Sequence, residues 1–273
     1  MDQMLMGMPP VSEEDKKKSY FKYYLEDMAQ PDPGAFGAMA GHPLPPFLAL
    51  PFAERNRLFE PGYSEAETGY SIMPDGTAYV ANLTKMPGVT AEMIDWWFSW
   101  YSLDSLRYLI WDKQDHLHAE CLTRVRATDP DMTDRERLWD TSQDLLDAGD
   151  MGPNNIIVHF KHPGNLGFAA EKIGTEACTT MITALGFGKG QPPLAPIPTV
   201  TVHQVRETED GVEVRSRYWM GWTYKNGRDV KVLPDGLVVP PMGPIAVGMQ
   251  NIREMTNLAA LLPRIYPEEK GTV

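Results

Sequence analysis

The chain has 273 residues, of which 42% are hydrophobic, and its 25 basic and 37 acidic side chains give a formal charge of −12. Such a surface repels phosphate, which argues against nucleic acid and against an anionic membrane face as partners. No apolar run is long enough to span a bilayer or to form a signal peptide, and two cysteines make no disulfide framework, so a cytoplasmic protein is expected.

The first eighty residues combine a short helix, an irregular segment and a pair of strands. Residues 13–29 are charged with an aromatic face, which predicts a short helix. The Pro/Gly-rich segment from Pro31 to Pro51 predicts an irregular linker or covering arm, because proline interrupts helices and central strands. Within residues 62–83, two strand-like runs surround a Pro-Asp-Gly turn, which predicts two short strands.

The segment from Asp95 to Glu120 is the most distinctive part of the chain, because four of the seven tryptophans lie there. Tryptophan is large and seldom placed without packing partners, so this density indicates an aromatic-walled interior. His116 and His118 follow the tryptophan-rich stretch, and an imidazole beside it is a candidate metal ligand or proton carrier. The alternative is a well-packed core that ends in a polar loop, and the segment alone leaves both interpretations open.

Caps and alternation define the middle of the chain. A helix capped by Thr90 is predicted over 92–101, and residues 106–111 alternate as in a strand, with Leu106, Tyr108 and Ile110 on one side. A capping box at Thr133 predicts a helix to about Thr141, and the stretch onward to Asp147 could be helix or strand. Asn155–Phe160 is predicted to be a strand.

The C-terminal third is predicted to contain hairpins. Thr199–Arg206 and Gly211–Met220 alternate around a turn at Glu209-Asp210-Gly211, which predicts a β-hairpin. Asn226-Gly227 predicts a second one. The glycine-rich run 186–190 lacks the strand-loop-helix context of a phosphate site and is interpreted as a loop.

Residues 244–262 have the strongest helical pattern in the chain. Gln250, Glu254 and Asn257 form a narrow polar stripe opposite an apolar face. On pattern alone the stripe is expected to face solvent, although a helix that closes a cavity would turn it inward. Antiparallel strands followed by this helix predict an α+β fold with the helix packed across a curved sheet.

The sequence contains no recognised zinc motif, no Cys-x-x-Cys pair and no Gly-x-Ser-x-Gly nucleophile elbow. A metal site would therefore need donors from distant segments. His116 is a candidate ligand or general acid, and His118, two residues further in an extended segment, would share its side. His203 lies in a predicted strand, where cross-strand packing is an equally good explanation.

Several short motifs spread over most of the chain carry a family resemblance. They are Glu54-Arg55-Asn56, Pro61-Gly62-Tyr63, Leu83-Thr84-Lys85-Met86-Pro87-Gly88-Val89, Asp95-Trp96-Trp97-Phe98, Leu106-Arg107-Tyr108, Trp111-Asp112 with His116, and Asn257-Leu258-Ala259. Together these segments resemble the family of 2,4-diacetylphloroglucinol hydrolase and phloretin hydrolase. The resemblance implies hydrolysis of a carbon–carbon bond between an acyl group and a phenolic ring, with a divalent metal, usually zinc, in a helix-grip (START-like) fold. It also implies an N-terminal covering region over 1–80, a catalytic domain over 81–273 and a polar stripe that faces the pocket.

The resemblance also assigns roles to individual residues. The implied metal ligands are His116, Asp147, Gln250 and Glu254, and the implied substrate-binding and catalytic residues are Tyr108, His203 and Tyr218. Three positions depart from the family pattern: Gln250 replaces a histidine, Asp147 replaces a glutamate, and Tyr101 stands where histidine is expected. One imidazole among oxygen donors lowers the affinity for zinc and favours harder ions.

Three functions are compatible with this sequence. The first is a metal-dependent hydrolase that cleaves an acylated phenol or β-diketone by a retro-Claisen reaction. The second is a metal-independent acid–base or cyclisation catalyst that acts on a polyketide-like aromatic in the same pocket. The third is a non-catalytic carrier of an apolar aromatic ligand. The expected partner is a small aromatic ketone, and the resemblance implies a homodimer.

Overall fold

The computed structural model describes residues 11–148, 153–189 and 197–272. The strands are β1 (Gly69–Ile72), β2 (Ala78–Pro87), β3 (His116–Cys121), β4 (Ser142–Asp147), β5 (Asn154–Phe160), β6 (Thr180–Gly188), β7 (Thr199–Thr208), β8 (Gly211–Met220), β9 (Trp222–Lys225) and β10 (Arg228–Lys231). The α-helices are α1 (Phe21–Leu25), α2 (Pro33–Ala40), α3 (Ala91–Trp100), α4 (Ser105–Trp111), α5 (Arg124–Ala127), α6 (Asp134–Leu138) and α7 (Met242–Glu269).

One antiparallel sheet and one long helix dominate the architecture. Within the described ranges the sheet has eight strands in the order β1-β2-β8-β7-β6-β5-β4-β3, and β9 and β10 form a separate hairpin. Helix α7 packs on one face, called here the inner face, where Met255 and Leu258 share a core with Val212 and Val214 of β8. The expected α+β helix-grip fold is confirmed.

The predicted hairpins are confirmed, because their turns carry the residues that the turns require. Strands β7 and β8 pair without a slip from Thr208 opposite Gly211 to Thr199 opposite Met220. The turn between β9 and β10 places Asn226 and Gly227 at positive φ, 53° and 74°, as expected for an Asn-Gly turn. The caps at Thr90 and Thr133 are also present, and the stretch up to Asp147 is a strand.

The prediction of a strand over residues 106–111 was wrong, because this segment is helix α4. Asp104 accepts a hydrogen bond from the backbone of Leu106 and thereby caps the helix. All the residues from Leu106 to Trp111 are buried. A helix buried on every side has no polar face, so alternation was not a valid measure of its period.

The prediction of an irregular arm from Pro31 to Pro51 was wrong in its first half. Helix α2 begins at Pro33, where proline is tolerated because the first helical N–H has no partner, and the Asp32 carboxylate accepts from the Ala35 backbone. Residues 13–29 form a single 3-10 turn (Asp15–Lys17) and the short α1 rather than one helix. Glycines 186 and 188 lie in β6 rather than in a loop, and Gly190 lies outside the described residues.

The N-terminal residues contribute to the same sheet as the rest of the chain. Strand β1 pairs with β2, and a 3-10 segment over Phe52–Phe59 places Phe52 and Leu58 in a second core on the outer face, with Tyr79 and Trp219. The division at residue 80 stays a prediction. Among the described residues, no helix is both long enough and apolar enough to cross a bilayer.

Candidate active site

His116 is placed by the turn that joins α4 to β3. The Asp112 carboxylate accepts from the backbone N–H groups of Gln114 and Asp115, at 3.0 and 3.2 Å, which closes the turn immediately before His116. The His116 Nδ1 donates to the Tyr108 carbonyl oxygen at 2.8 Å, and the two rings stack with centroids 3.6 Å apart. This bond fixes the orientation of the imidazole and directs Nε2 towards α7, where Glu254 Oε2 lies 3.4 Å away.

The polar stripe of α7 faces the inner face of the sheet. Glu254 is buried, and its Oε1 accepts from the side-chain amide of Asn251 at 3.0 Å, while Asn82 of β2 donates to Asn251 Oδ1 at 3.0 Å. Asn257 donates to the last carbonyls of α4, those of Ile110 and Trp111. The solvent-facing orientation expected from the pattern alone was therefore wrong, and the orientation implied by the resemblance is the one observed.

Asp147 joins this cluster from β4. It pairs in register with His116 of β3, and its Oδ1 accepts from Tyr108 Oη at 2.6 Å. Gln250, one helical turn before Glu254, donates from Nε2 to Asp147 Oδ2 at 3.4 Å. Tyr108, Asp147, Glu254 and His116 are each less than a tenth exposed, whereas Gln250 is only partly buried.

The four implied metal ligands thus lie in one cluster, but they do not form a closed ligand set. Both carboxylate oxygens of Asp147 accept from Tyr108 and Gln250, and Glu254 is engaged by Asn251 and His116. In the described parts of the chain, no three His, Cys, Asp or Glu side chains are close enough together to hold an ion. The arrangement does not fit a metal ion as it stands, so zinc binding stays a prediction.

His203 and Tyr218 lie beside this cluster on β7 and β8. His203 pairs in register with Ser216, whose hydroxyl bonds to His203 Nδ1 at 2.8 Å, and Tyr218 is two residues further on the same face. The His203 and Tyr218 rings are 6.0 Å apart, edge to face. His203 is buried, whereas Tyr218 is only partly buried. The structure therefore brings together the three residues expected to contact phenolic oxygens.

The two histidines have opposite electrostatic surroundings. Burial lowers the pKa of His116, but its contact with Glu254 and the charges of Asp147 and Asp112 outweigh that effect and raise the pKa to about 9. Burial lowers the pKa of His203 to about 4, and the charge of Glu254 opposes this shift only in part. At neutral pH His116 is therefore a cation and His203 a neutral imidazole.

Burial is the main influence on the pKa of the phenols and of the remaining carboxylates in the cluster. Burial raises the pKa of Tyr108 and of Tyr218 well above its usual range, so both stay protonated and donate hydrogen bonds. Burial also raises the pKa of Asp147, and it raises that of Asp112, behind the cluster, to about 7. The site therefore combines one cation, acidic acceptors and neutral phenolic donors in an environment from which water is largely excluded.

His118 does not join the site. The register of β3 shifts between His116 and His118, and this bulge turns His118 to solvent, where its Nδ1 bonds to Ser105 Oγ at 2.7 Å. The expectation that it shares the side of His116 was wrong, because simple alternation does not survive a bulge. Sequence reasoning also missed Asn82 and Asn251, which orient Glu254, and their only sequence signal is a polar residue in an apolar surrounding.

The fold and this enclosed polar cluster define a helix-grip protein with the groups needed for acid–base chemistry. The sequence profile of the DAPG hydrolase PhiG domain matches residues 50–267. Phloretin hydrolase from Eubacterium ramulus is 38% identical over 265 residues, which cover 96% of this chain and 94% of that protein. The 2,4-diacetylphloroglucinol hydrolase of Pseudomonas protegens is 28% identical over 207 residues, covering 76% of this chain and 67% of that protein. The crystal structure of Ara h 8.0201 aligns with a TM-score of 0.41 at 8% identity, covering 68% of this chain and 98% of that chain.

The chain belongs to the DAPG hydrolase family. The profile covers most of its length, and the phloretin hydrolase match covers nearly all of it. The predicted family is confirmed, and so is the enzyme class that it implies, a carbon–carbon bond hydrolase. The interpretation as a non-catalytic carrier is thereby set aside.

Proposed function

We propose that the protein hydrolyses the bond between an acyl carbon and the ring carbon of an acylated phenol. The carrying observation is the contact between His116 Nε2 and Glu254 Oε2, 3.4 Å apart, in a buried cluster bordered by Tyr108, His203 and Tyr218. The relatives' names support this substrate class, because phloretin and 2,4-diacetylphloroglucinol are both aryl ketones with phenolic rings.

Substrate binding is assigned to the neutral donors of the cluster. The protonated phenol of Tyr218 and the Nε2 of His203, whose Nδ1 is engaged by Ser216, suit phenolic oxygens, and both groups are close enough to Glu254 for its charge to affect their pKa. The aromatic residue Phe98, 5.6 Å from the His203 ring, offers a face against which a phenolic ring can pack. Binding a polyhydroxylated ring in this way favours its keto tautomer, in which the acyl carbonyl is part of a vinylogous β-diketone.

Cleavage then follows a retro-Claisen course. The cationic His116 donates a hydrogen bond to the acyl carbonyl oxygen, while Glu254 accepts a proton from the water that adds to the acyl carbon. The bond between the acyl and ring carbons breaks, and its electron pair moves onto a ring oxygen as the ring rearomatises. The ring carbon keeps the proton gained on ketonisation, and Glu254 returns the proton taken from water to that ring oxygen. The products are one phenol and one carboxylic acid for each water consumed.

These steps use only side chains of this chain, because the four implied metal ligands, although they lie in one cluster, are engaged by hydrogen bonds to one another and to Tyr108 and Asn251. The hydrogen bonds from Tyr108 and Gln250 to Asp147 support a metal-independent form of this hydrolysis, which differs from the acid–base or cyclisation catalyst considered for the sequence. Zinc dependence is a separate prediction, tested below through Gln250.

Direct product analysis tests the proposed function. Wild-type protein incubated with phloretin or 2,4-diacetylphloroglucinol in isotopically labelled water is expected to release a phenol and a carboxylic acid in equal amounts, with label in the acid. His116→Asn and Glu254→Gln are expected to lower kcat by at least about 100-fold, because each removes a proton donor or acceptor. The measurement is chromatography coupled to mass spectrometry.

His118→Asn is the matched control, since His118 is two residues from His116 but faces solvent. It is expected to cleave at the wild-type rate. The proposal is overturned if no acylated phenol is cleaved, or if His116→Asn and Glu254→Gln retain full activity.

A cytoplasmic location and a homodimeric state complete the proposal. The location is supported by the two cysteines, which are both free thiols. The dimer is supported by the resemblance alone.

A further inference from the structure

Gln143 of β4 is a fully buried side chain whose amide is left unsatisfied by regular hydrogen bonds within the described residues. It is 0% exposed, and within the described residues neither its amide nitrogen nor its amide oxygen has a hydrogen-bond partner of good geometry. Gln204 of β7 is equally buried but is bonded at both ends, because it donates to the carbonyls of Leu58 and Ala177 and accepts from Arg215. The bare amide of Gln143 is therefore not a general feature of buried glutamines in this protein.

Gln143 lies on the surface that continues from the proposed reacting centre. It shares the inner face of β4 with Asp147, four residues further, a distance of about 13 Å along a strand. The phenol of Tyr101 contacts the amide, and this hydrogen-bond contact opposes the rise that burial causes in the pKa of Tyr101. The Tyr101 ring stacks on Tyr108 at 5.8 Å, and Tyr108 donates to Asp147.

This polar pair lies on the other side of an aromatic residue from the groups that suit the phenolic ring. The Phe98 ring is 5.6 Å from His203 and 5.8 Å from Tyr101. In the sheet, β4 is three strands away from β7, which is about 14 Å. Phe98 and Tyr101 therefore form a continuous aromatic surface from His203 to Gln143 on the inner face.

A buried amide without partners is unfavourable, and an apolar residue of similar size would fill the same volume without that penalty. We propose that Gln143 and Tyr101 form a second polar subsite, which binds a hydroxyl or carbonyl oxygen carried on the acyl group several bonds from the reacting ketone. This inference rests on the proposed function and specifies its substrate class. A site built to bind a hydroxyl discriminates strongly against the analogue that lacks it.

A pair of substrates tests the subsite. Phloretin carries a hydroxyl at the far end of its acyl group, and the analogue with an unsubstituted terminal phenyl group lacks only that hydroxyl. Wild-type protein is expected to prefer phloretin by at least about tenfold in kcat/KM. In Gln143→Met this ratio is expected to fall to near one. Tyr101→Phe keeps the ring, removes one hydroxyl, and is expected to lower the ratio in the same direction.

Gln204→Met is the matched control. Because the amide of Gln204 is fully bonded, this variant is expected to lower Tm while it retains the substrate ratio. Gln143→Met is expected to keep or raise Tm, since it loses only the contact with Tyr101 and removes a buried amide that is otherwise unsatisfied.

The outcomes distinguish a failure of the proposed subsite from a failure of the proposed function. If wild-type protein cleaves neither substrate, the proposed function fails. If it cleaves both, and Gln143→Met and Tyr101→Phe keep the wild-type ratio, the subsite is overturned and water alone satisfies the amide. The subsite is also overturned if Gln143→Met loses the preference for phloretin and has a lowered Tm, while Tyr101→Phe keeps the wild-type preference and Tm. The amide of Gln143 would then have a structural role.

Discussion

At the scale of single residues, the chemistry of this site depends on how each imidazole is held. His116 and His203 both bond through Nδ1, to the Tyr108 carbonyl and to the Ser216 hydroxyl, so that each keeps Nε2 for other partners. Their surroundings then differ, because Glu254 lies 3.4 Å from His116 whereas no carboxylate touches His203 among the described residues. One residue type therefore supplies a cationic donor at one position and a neutral partner at another.

Gln250 is the residue whose replacement tests whether this site can bind zinc. Its amide donates to Asp147, whereas an imidazole at this position would add a nitrogen donor to His116, Asp147 and Glu254. Gln250→His is expected to raise zinc affinity at least about tenfold, since zinc prefers nitrogen and sulfur donors over an amide. Elemental mass spectrometry after dialysis against a graded series of chelator concentrations measures this.

Ala260→His is the control for Gln250→His, because it adds an imidazole to an exposed position of the same helix. Equal zinc retention by the two variants would contradict the prediction. Nearly one equivalent of zinc in the wild type would show that Gln250 or water completes a working site, and the metal-dependent mechanism would then replace the one proposed.

At the scale of elements, the N-terminal helix α2 reaches the helix that carries the site. Met39 of α2 is fully buried in a core with Ile252 of α7, and Gly248 leaves the space that its side chain occupies. A Cβ atom at Gly248 would lie 2.2 Å from Met39 Sδ. Helix α2 therefore packs against α7 two residues before Gln250, and this close approach of the two helices depends on Gly248.

Gly248→Val is expected to lower the free energy of unfolding by about 1–3 kcal/mol, because an overpacked core forces side chains from their preferred rotamers. Denaturant unfolding measures the change. Gly37→Ala is the control within α2, where an added Cβ meets nothing within 4 Å, and it is expected to stabilise by about 0.5–1 kcal/mol through helix propensity. A Gly248→Val protein as stable as the wild type would mean that α2 does not depend on this contact.

At the scale of the whole molecule, buried ion pairs connect the N-terminal region to the sheet. Glu67, just before β1, binds both Arg215 and Arg217 on the outer face of β8, and the two arginines are 2% and 0% exposed. Burial alone would raise the pKa of Glu67, but the two guanidinium groups outweigh it and lower the pKa to about 2. The residues before β1 therefore neutralise charges that the sheet has buried.

Glu67→Gln is expected to lower the free energy of unfolding by about 3–5 kcal/mol, since it leaves two buried cations without their carboxylate. Because the folded pKa is below the unfolded value of 4.5, the contribution of Glu67 is complete above pH 4.5 and is lost as pH falls towards 2. The variant should lose this part of the acid dependence of Tm. Glu65→Gln, at an exposed position two residues away, is expected to change stability by less than about 0.5 kcal/mol. Equal effects of the two substitutions would contradict the prediction.

The sequence alone determined the features that are set by neighbours within a few residues. The turn residues Asn226 and Gly227, the caps at Thr90 and Thr133 and the stripe on α7 each act over one turn, so the hairpins and the helices α3, α6 and α7 were predicted. The family resemblance added the candidate site residues, because the matching segments are specific.

Only the tertiary structure decided which side chains meet. Tyr108 and Asp147 are 39 residues apart, and Gln250 and Asp147 are 103 apart, so no local pattern relates them. Helix α4 was mistaken for a strand because burial on all sides removes the amphipathic period, and a bulge turned His118 outward. The free amide of Gln143 was likewise invisible to sequence, since a side chain's hydrogen bonds depend on what the folded chain places around it.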